Sequence, residues 1–176
     1  MPENNTLRLR APEPADLDAL YLLENDTSLW QFGNTTTPLS RFALRDFIER
    51  CSESVFDTRQ LRLVIERKVD AQLIGTIDLY DFDSQHRRAG VGVCIDGRFQ
   101  CQGYATGALE ILKSYCFEIL NLHQIYAFVP EKNLPSLSLF RRCGFVQSGV
   151  LTDWLIRRNV VENVVVLQCI EAAEGN

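Results

Sequence analysis

The amino-acid sequence predicts an α+β fold: a twisted mixed β-sheet with helices on both faces and the element order βααβββαβαββ. Three observations predict it. Apolar and polar residues alternate from Thr6 to Arg10, the period of a half-buried strand, and the runs Leu61 to Arg67 and Leu73 to Tyr80 read as two further strands about a turn. The β-rich run Gly90 to Ile95 then passes through a small-residue loop into a helical pattern and on to another strand-like run, Gln124 to Val129, which is a strand–helix–strand crossover. Finally, Phe145 to Trp154 and Val160 to Gln168 face each other around Arg157-Arg158-Asn159 as a closing hairpin.

Each element carries its own signal. Pro14 to Asn25 has helical spacing that turns Leu17, Leu20, Leu22 and Leu23 inward. Asp26 to Thr37 is a polar connection bearing aromatic residues, and Ser40 is placed to cap a second helix that reaches Cys51. The strands Leu61 to Arg67 and Leu73 to Tyr80 flank a turn at Lys68-Val69-Asp70-Ala71, and Arg87 to Ile95 is a third central strand. Ala108, Leu109, Ile111, Leu112, Tyr115, Cys116, Ile119 and Leu120 recur at helical spacing opposite Glu110, Lys113 and Glu118. Asn133 as N-cap, Pro135 in the first turn and Gly144 after Arg141 and Arg142 bound a short helix. The segment from Glu171 onward reads as a frayed end.

Composition narrows the function. A chain of 176 residues, 46% hydrophobic and 23% charged, reads as one globular domain over residues 1–176. A net charge of −5 argues against general nucleic-acid binding, which needs a basic face. The six cysteines contain no Cys-x-x-Cys pair and no His at ligand spacing, so no metal is expected and the thiols read as free, as in the cytoplasm. No apolar run approaches the ~20 residues of a membrane span, and Met-Pro-Glu-Asn-Asn is not a signal-peptide pattern.

The stretch from Gln100 to Gly107 carries the chemistry. A strand that turns through small residues into a helix leaves the first helical N–H groups unpartnered, with the helix dipole adding positive potential. That is a cradle for an anion such as a diphosphate. The loop lacks the Gly-Lys-Ser/Thr ending of a nucleoside-triphosphate loop and the three glycines of the dinucleotide fingerprint. Glycine in such a turn also serves conformation alone, so a purely structural reading stands beside the functional one.

The motif Gln-x-x-Gly-x-Ala (Gln100, Gly103, Ala105) opening one helix, followed by Asn-x-x-Ser-x-x-x-Phe-x-x-x-Gly-Phe (Asn133 to Phe145), resembles the GNAT superfamily of acetyl-CoA-dependent N-acetyltransferases. Leu7 to Pro12 with Asp16-Leu17, and Gly75-Thr76-Ile77, resemble its ribosomal-protein and polyamine branches. His86 to Ala89, Leu120 to Tyr126 and the surroundings of Asn163 resemble spermidine N-acetyltransferases most. The resemblance implies the GNAT fold, acetyl-CoA as cofactor, a cytoplasmic homo-oligomer, and an amine acceptor. That acceptor is either a polyamine such as spermidine or a protein N-terminus.

The resemblance also implies residue roles. Backbone N–H groups of Gln102, Gly103, Tyr104, Ala105, Thr106 and Gly107 would hold the pyrophosphate, with Gln100 and Cys101 beside it. The main chain of Val93, Cys94 and Ile95, splaying from the strand of Tyr126, would bond the pantetheine arm and polarise the thioester. Asn133 and Phe140 would meet the arm from the far side. Two positions depart from the family pattern: Phe140 stands where many relatives carry a proton-donating Tyr, and Gly90 where many carry Glu. Tyr80 and Tyr126 are the alternative proton donors. Asp78 is the candidate to order the amine or take its proton through water, or else it is the polar face of an alternating strand. Trp30 and Phe32 either wall the acceptor pocket or pack onto the core. The stretch Phe32 to Thr37 holds no carboxylate, which fits a peptide or small amine better than a polycation. The two departures also leave open a non-catalytic acyl-CoA-binding module.

Overall fold

A computed structural model describes residues 2–30, 37–157 and 159–171. Seven strands form one sheet in the order β1-β2-β3-β4-β5-β7-β6. They are β1 (Leu7–Arg10), β2 (Leu61–Arg67), β3 (Gln72–Asp83), β4 (Arg88–Ile95), β5 (Gln124–Pro130), β6 (Val146–Arg157) and β7 (Val160–Ile170). Only β4 and β5 run parallel, and the crossover between them carries helix α5 (Tyr104–Ser114). The other helices are α1 (Leu17–Glu24), α2 (Thr27–Trp30), α3 (Arg41–Arg50), α4 (Val55–Thr58) and α6 (Leu134–Arg142).

Register assigns side chains to two faces, because direct partners in neighbouring strands point the same way. The pairs Leu9–Ile65, Leu63–Ile77 and Ile77–Val93 put these residues on one face, and they belong to the main core with Leu109 and Leu112 of α5 and Phe140 of α6. The pairs Arg62–Asp78, Asp78–Gly92, Tyr80–Gly90 and Gly90–Tyr126 put those residues on the other face. Position along a strand therefore separates core residues from site residues.

The predicted caps are present. Ser40 Oγ accepts from the Ala43 N–H at 3.1 Å, and Asn133 Oδ1 accepts from the Ser136 N–H at 3.2 Å. Arg10 ties β1 to its surroundings, donating to Asp16 (2.6 Å) and to Glu66 of β2 (2.6 Å). Three expectations are corrected. Leu22 is 67% exposed, since Leu20 and Leu23 define the buried stripe of α1 and Leu22 falls on the opposite side. Two single-turn helices, α2 and α4, interrupt stretches read as connections. β3 continues past Tyr80 to Asp83 through a bulge, with Asp81 in the left-handed region at φ 49°.

Candidate active site

The turn into α5 is built as an anion cradle. Gly103 caps the helix at φ 84°, a conformation that costs a glycine nothing, and Cys101 also has positive φ (59°). No side chain caps the helix at this position, and a Cβ on Gly103 would meet nothing within 4 Å. The first-turn N–H groups of Tyr104, Ala105 and Thr106 thus face an open approach. The cradle is narrower than the sequence implied. The Gly107 N–H already bonds Gly103 O at 3.0 Å, and the missing side chain of Gly107 lets α5 close onto β1, where an added Cβ would sit 3.2 Å from Leu7 Cδ1. Gln100 and Gln102 turn inward to the loop, donating to Ile95 O (2.9 Å) and Arg98 O (3.2 Å). The Tyr104 ring packs against the core, with its hydroxyl beside Arg67.

Beside the cradle the sheet opens. β4 and β5 pair only at Arg88–Gln124, Ala89–Ile125 and Gly90–Tyr126. Beyond that point β4 stays bonded to β3 through Ile95, so its backbone on the β5 side is unpaired from Val91 onward. Val93 and Cys94 are half-buried along this edge and the Ile95 side chain is buried. A free strand edge of this kind takes an extended, amide-bearing chain by main-chain hydrogen bonds.

Tyr80 stands at the fork. Its ring lies over Gly90, and the backbone N–H of Phe128, just past the last β4–β5 pair, donates to its oxygen. Burial, then the neighbouring Tyr126, pushes the Tyr80 hydroxyl well above its ordinary pKa, so it keeps its proton. Tyr126 meets Tyr80 edge to face with ring centroids 6.0 Å apart. Phe140 is a correction: it is only 3% exposed and packs edge to face on Phe145 at 5.0 Å, which leaves it no surface for a cofactor. Asn133 spends its side-chain oxygen on the α6 cap.

On the face of Asp78 and Tyr80 lies a cavity of about 820 Å³, walled by Glu24, Phe47, Cys51 and Arg62 among others. Asp78 is not a free carboxylate. Arg62 grips it with two bonds (2.7 and 2.9 Å) and reaches Glu24 with a third (2.7 Å). Two carboxylates share one guanidinium, so the cluster keeps a net negative charge. This cluster was missed in the sequence because its members come from α1, β2 and β3; only the Arg62–Asp78 register could have suggested it. Trp30 donates its indole N–H to Glu24 O at 2.8 Å, which anchors it beside a residue of the cavity wall. Phe32 lies outside the described residues. Burial pushes the Cys94 thiol up to about 12 and raises that of Cys51, so neither is poised as a thiolate nucleophile.

An open helix N-terminus beside a splayed parallel strand pair, with a polar cavity across the sheet, defines an acyl-carrier-dependent transferase. A family model described as "Acetyltransferase (GNAT) domain" matches residues 6–146, and the chain belongs to that family. It is 32% identical over 152 residues to the spermidine N(1)-acetyltransferase of Vibrio cholerae, covering 85% of this chain and 84% of that one. It is 28% identical over 151 residues to the Escherichia coli K12 enzyme of the same name, covering 86% and 78%. A crystal structure of the Vibrio cholerae spermidine N-acetyltransferase in complex with CoA and spermine superposes with a TM-score of 0.86 at 27% identity, over 96% of this chain and 97% of that one. The chain is an acetyl-CoA-dependent N-acetyltransferase with the α+β GNAT fold.

Proposed function

We propose that this enzyme acetylates a polyamine such as spermidine. One observation carries the reading: Glu24 and Asp78, sharing Arg62, leave the acceptor cavity with a net negative charge. These carboxylates meet the need that the uncharged stretch Phe32 to Thr37 does not. The likeness to polyamine-acetylating relatives supports the same choice.

Bound acetyl-CoA supplies an activated thioester acyl group. The amides of Tyr104, Ala105 and Thr106 would hold its diphosphate, and the unpaired β4 backbone from Val91 to Ile95 would take its amide-bearing arm. Tyr80, which keeps its proton at the fork, would take the place of the absent Tyr at position 140 as proton donor to the leaving thiolate. Asp78, held by Arg62, would orient the acceptor amine by charge and take the proton it loses through an intervening water. The hydroxyl of Tyr126 is one ring further out and is the second choice as donor.

The test is acetylation of spermidine, spermine and an N-terminal peptide by the purified protein, read by CoA release. Turnover of spermidine above the peptide is expected. Turnover of the peptide alone overturns the polyamine assignment, and tight CoA binding with no turnover favours the binding module.

A further inference from the structure

We propose that Tyr126, Phe128 and Asp81 form a second ammonium subsite, which reads a charged nitrogen of the acceptor other than the one acetylated. The proposal deepens the polyamine reading and rests on it. Tyr126 and Phe128 are two residues apart on β5 and so share a face. Their pairing with Gly90 and with Val166 puts that face opposite the α6 core. The ring centroids are 5.3 Å apart with planes inclined by 60°, and the Tyr80 ring meets Tyr126 at 90°. Successive planes turned this way form a corner with exposed π surface rather than a closed stack. Phe128 is 44% exposed and Tyr126 is half-buried, so the corner opens to solvent, which rings placed only for packing do not need.

The charge beside this corner selects its ligand. The β3 bulge turns Asp81 outward at φ 49°, and its carboxylate acts on both Tyr80 and Tyr126. Among the described residues Asp81 makes no ion pair and no side-chain hydrogen bond. Arg88 and Arg59 act on Tyr126 in the opposite sense, each more weakly than Asp81; Asp83 accepts from the His86 N–H (2.9 Å) and faces Arg88 (3.5 Å), while Arg59 donates to Phe82 O (3.0 Å). An unpaired carboxylate beside aromatic faces attracts an organic ammonium by charge and by the ring quadrupole, and repels an anion. Tyr80 lines the acceptor cavity and touches Tyr126, so one linear ligand can reach both places.

The experiment compares Phe128→Leu, Phe128→Tyr and Asp81→Asn on spermidine and on a short monoamine, with spermine binding to the CoA-loaded protein measured by calorimetry. Phe128→Leu should raise the spermidine KM and weaken spermine binding by about tenfold, with kcat within about twofold, the range a desolvated cation–π contact commands. The monoamine should be unaffected, and Phe128→Tyr should behave as the unchanged protein because a phenol ring keeps the quadrupole. Asp81→Asn should weaken both spermidine and spermine, less so at high salt. Equal losses on spermidine and the monoamine, or unchanged spermine binding by Phe128→Leu, would overturn the subsite while leaving the polyamine reading intact. If the unchanged protein neither binds nor acetylates a polyamine, both fall together.

Discussion

The Tyr80 ring occupies the place of a side chain at position 90. A Cβ built on Gly90 falls 2.1 Å from the ring, closer than real atoms approach. Tyr80 and Gly90 are direct partners across β3 and β4, so the tyrosine on one strand and the bare backbone on the other are one feature. The two departures from the family pattern are thereby linked. A side chain at position 90 and a Tyr80 ring lying across β4 exclude each other, and the ring brings a hydroxyl to the fork that Phe140 cannot supply.

Gly90→Ala should therefore destabilise the protein by about 1–3 kcal/mol through overpacking. Adding Tyr80→Ala should cancel most of that cost, giving a clear coupling energy in a double-mutant cycle by urea unfolding. Additive losses would show that the ring yields freely.

Tyr80→Phe keeps the ring and removes the proton. It should lower kcat by about a hundredfold, the usual scale for a general acid, with CoA affinity unchanged. Because burial raises the Tyr80 pKa, the hydroxyl stays protonated through neutral and mildly alkaline pH. The pH–rate profile of the unchanged enzyme should accordingly show no fall between about pH 7 and 9 from loss of this proton.

Gly103→Ala tests the cradle. The φ of 84° should cost an alanine about 1–2 kcal/mol while no neighbouring atom obstructs its Cβ. The fold should survive, and CoA affinity measured by calorimetry should drop at least several-fold. Unchanged affinity would move the diphosphate elsewhere.

Asp16→Asn tests the ion pair that anchors β1. Burial resists ionisation of Asp16, but the Arg10 guanidinium and the Glu13 N–H outweigh it and hold the carboxyl below its ordinary value. A depressed native pKa gives stability that is complete above the unfolded value of about 3.9 and is lost as pH falls through the native one. The variant should be about 2 kcal/mol less stable than the parent at pH 7. The difference should shrink as pH falls below the unfolded value of about 3.9 and through the depressed native one, read by unfolding at several pH values.

Much of the fold was legible in the chain because its signals are local. Ser40 and Asn133 announced helix starts through their own hydrogen bonds two or three residues on. The β2 range was read residue for residue, since a β-branched apolar run bounded by a turn is a property of neighbouring positions. The Gly103 turn was equally readable, because a left-handed residue before a helical pattern is a short-range event.

The sequence by itself determined the strands, the longer helices, the family and the Gly103 turn. The tertiary structure decided which side chains face one another. It spent Asp78 on Arg62 and Glu24, sank Phe140 into the core, laid Tyr80 over Gly90 and used Gly107 for packing rather than for binding. The outcomes at Asp78 and Tyr80 depend on strand register, where a shift of a single residue sends every following side chain to the opposite face, and those at Gly107 and Phe140 on how α5 and α6 dock against the sheet. Register is set by the summed packing of distant segments, and no local pattern around position 80 or 140 encodes it.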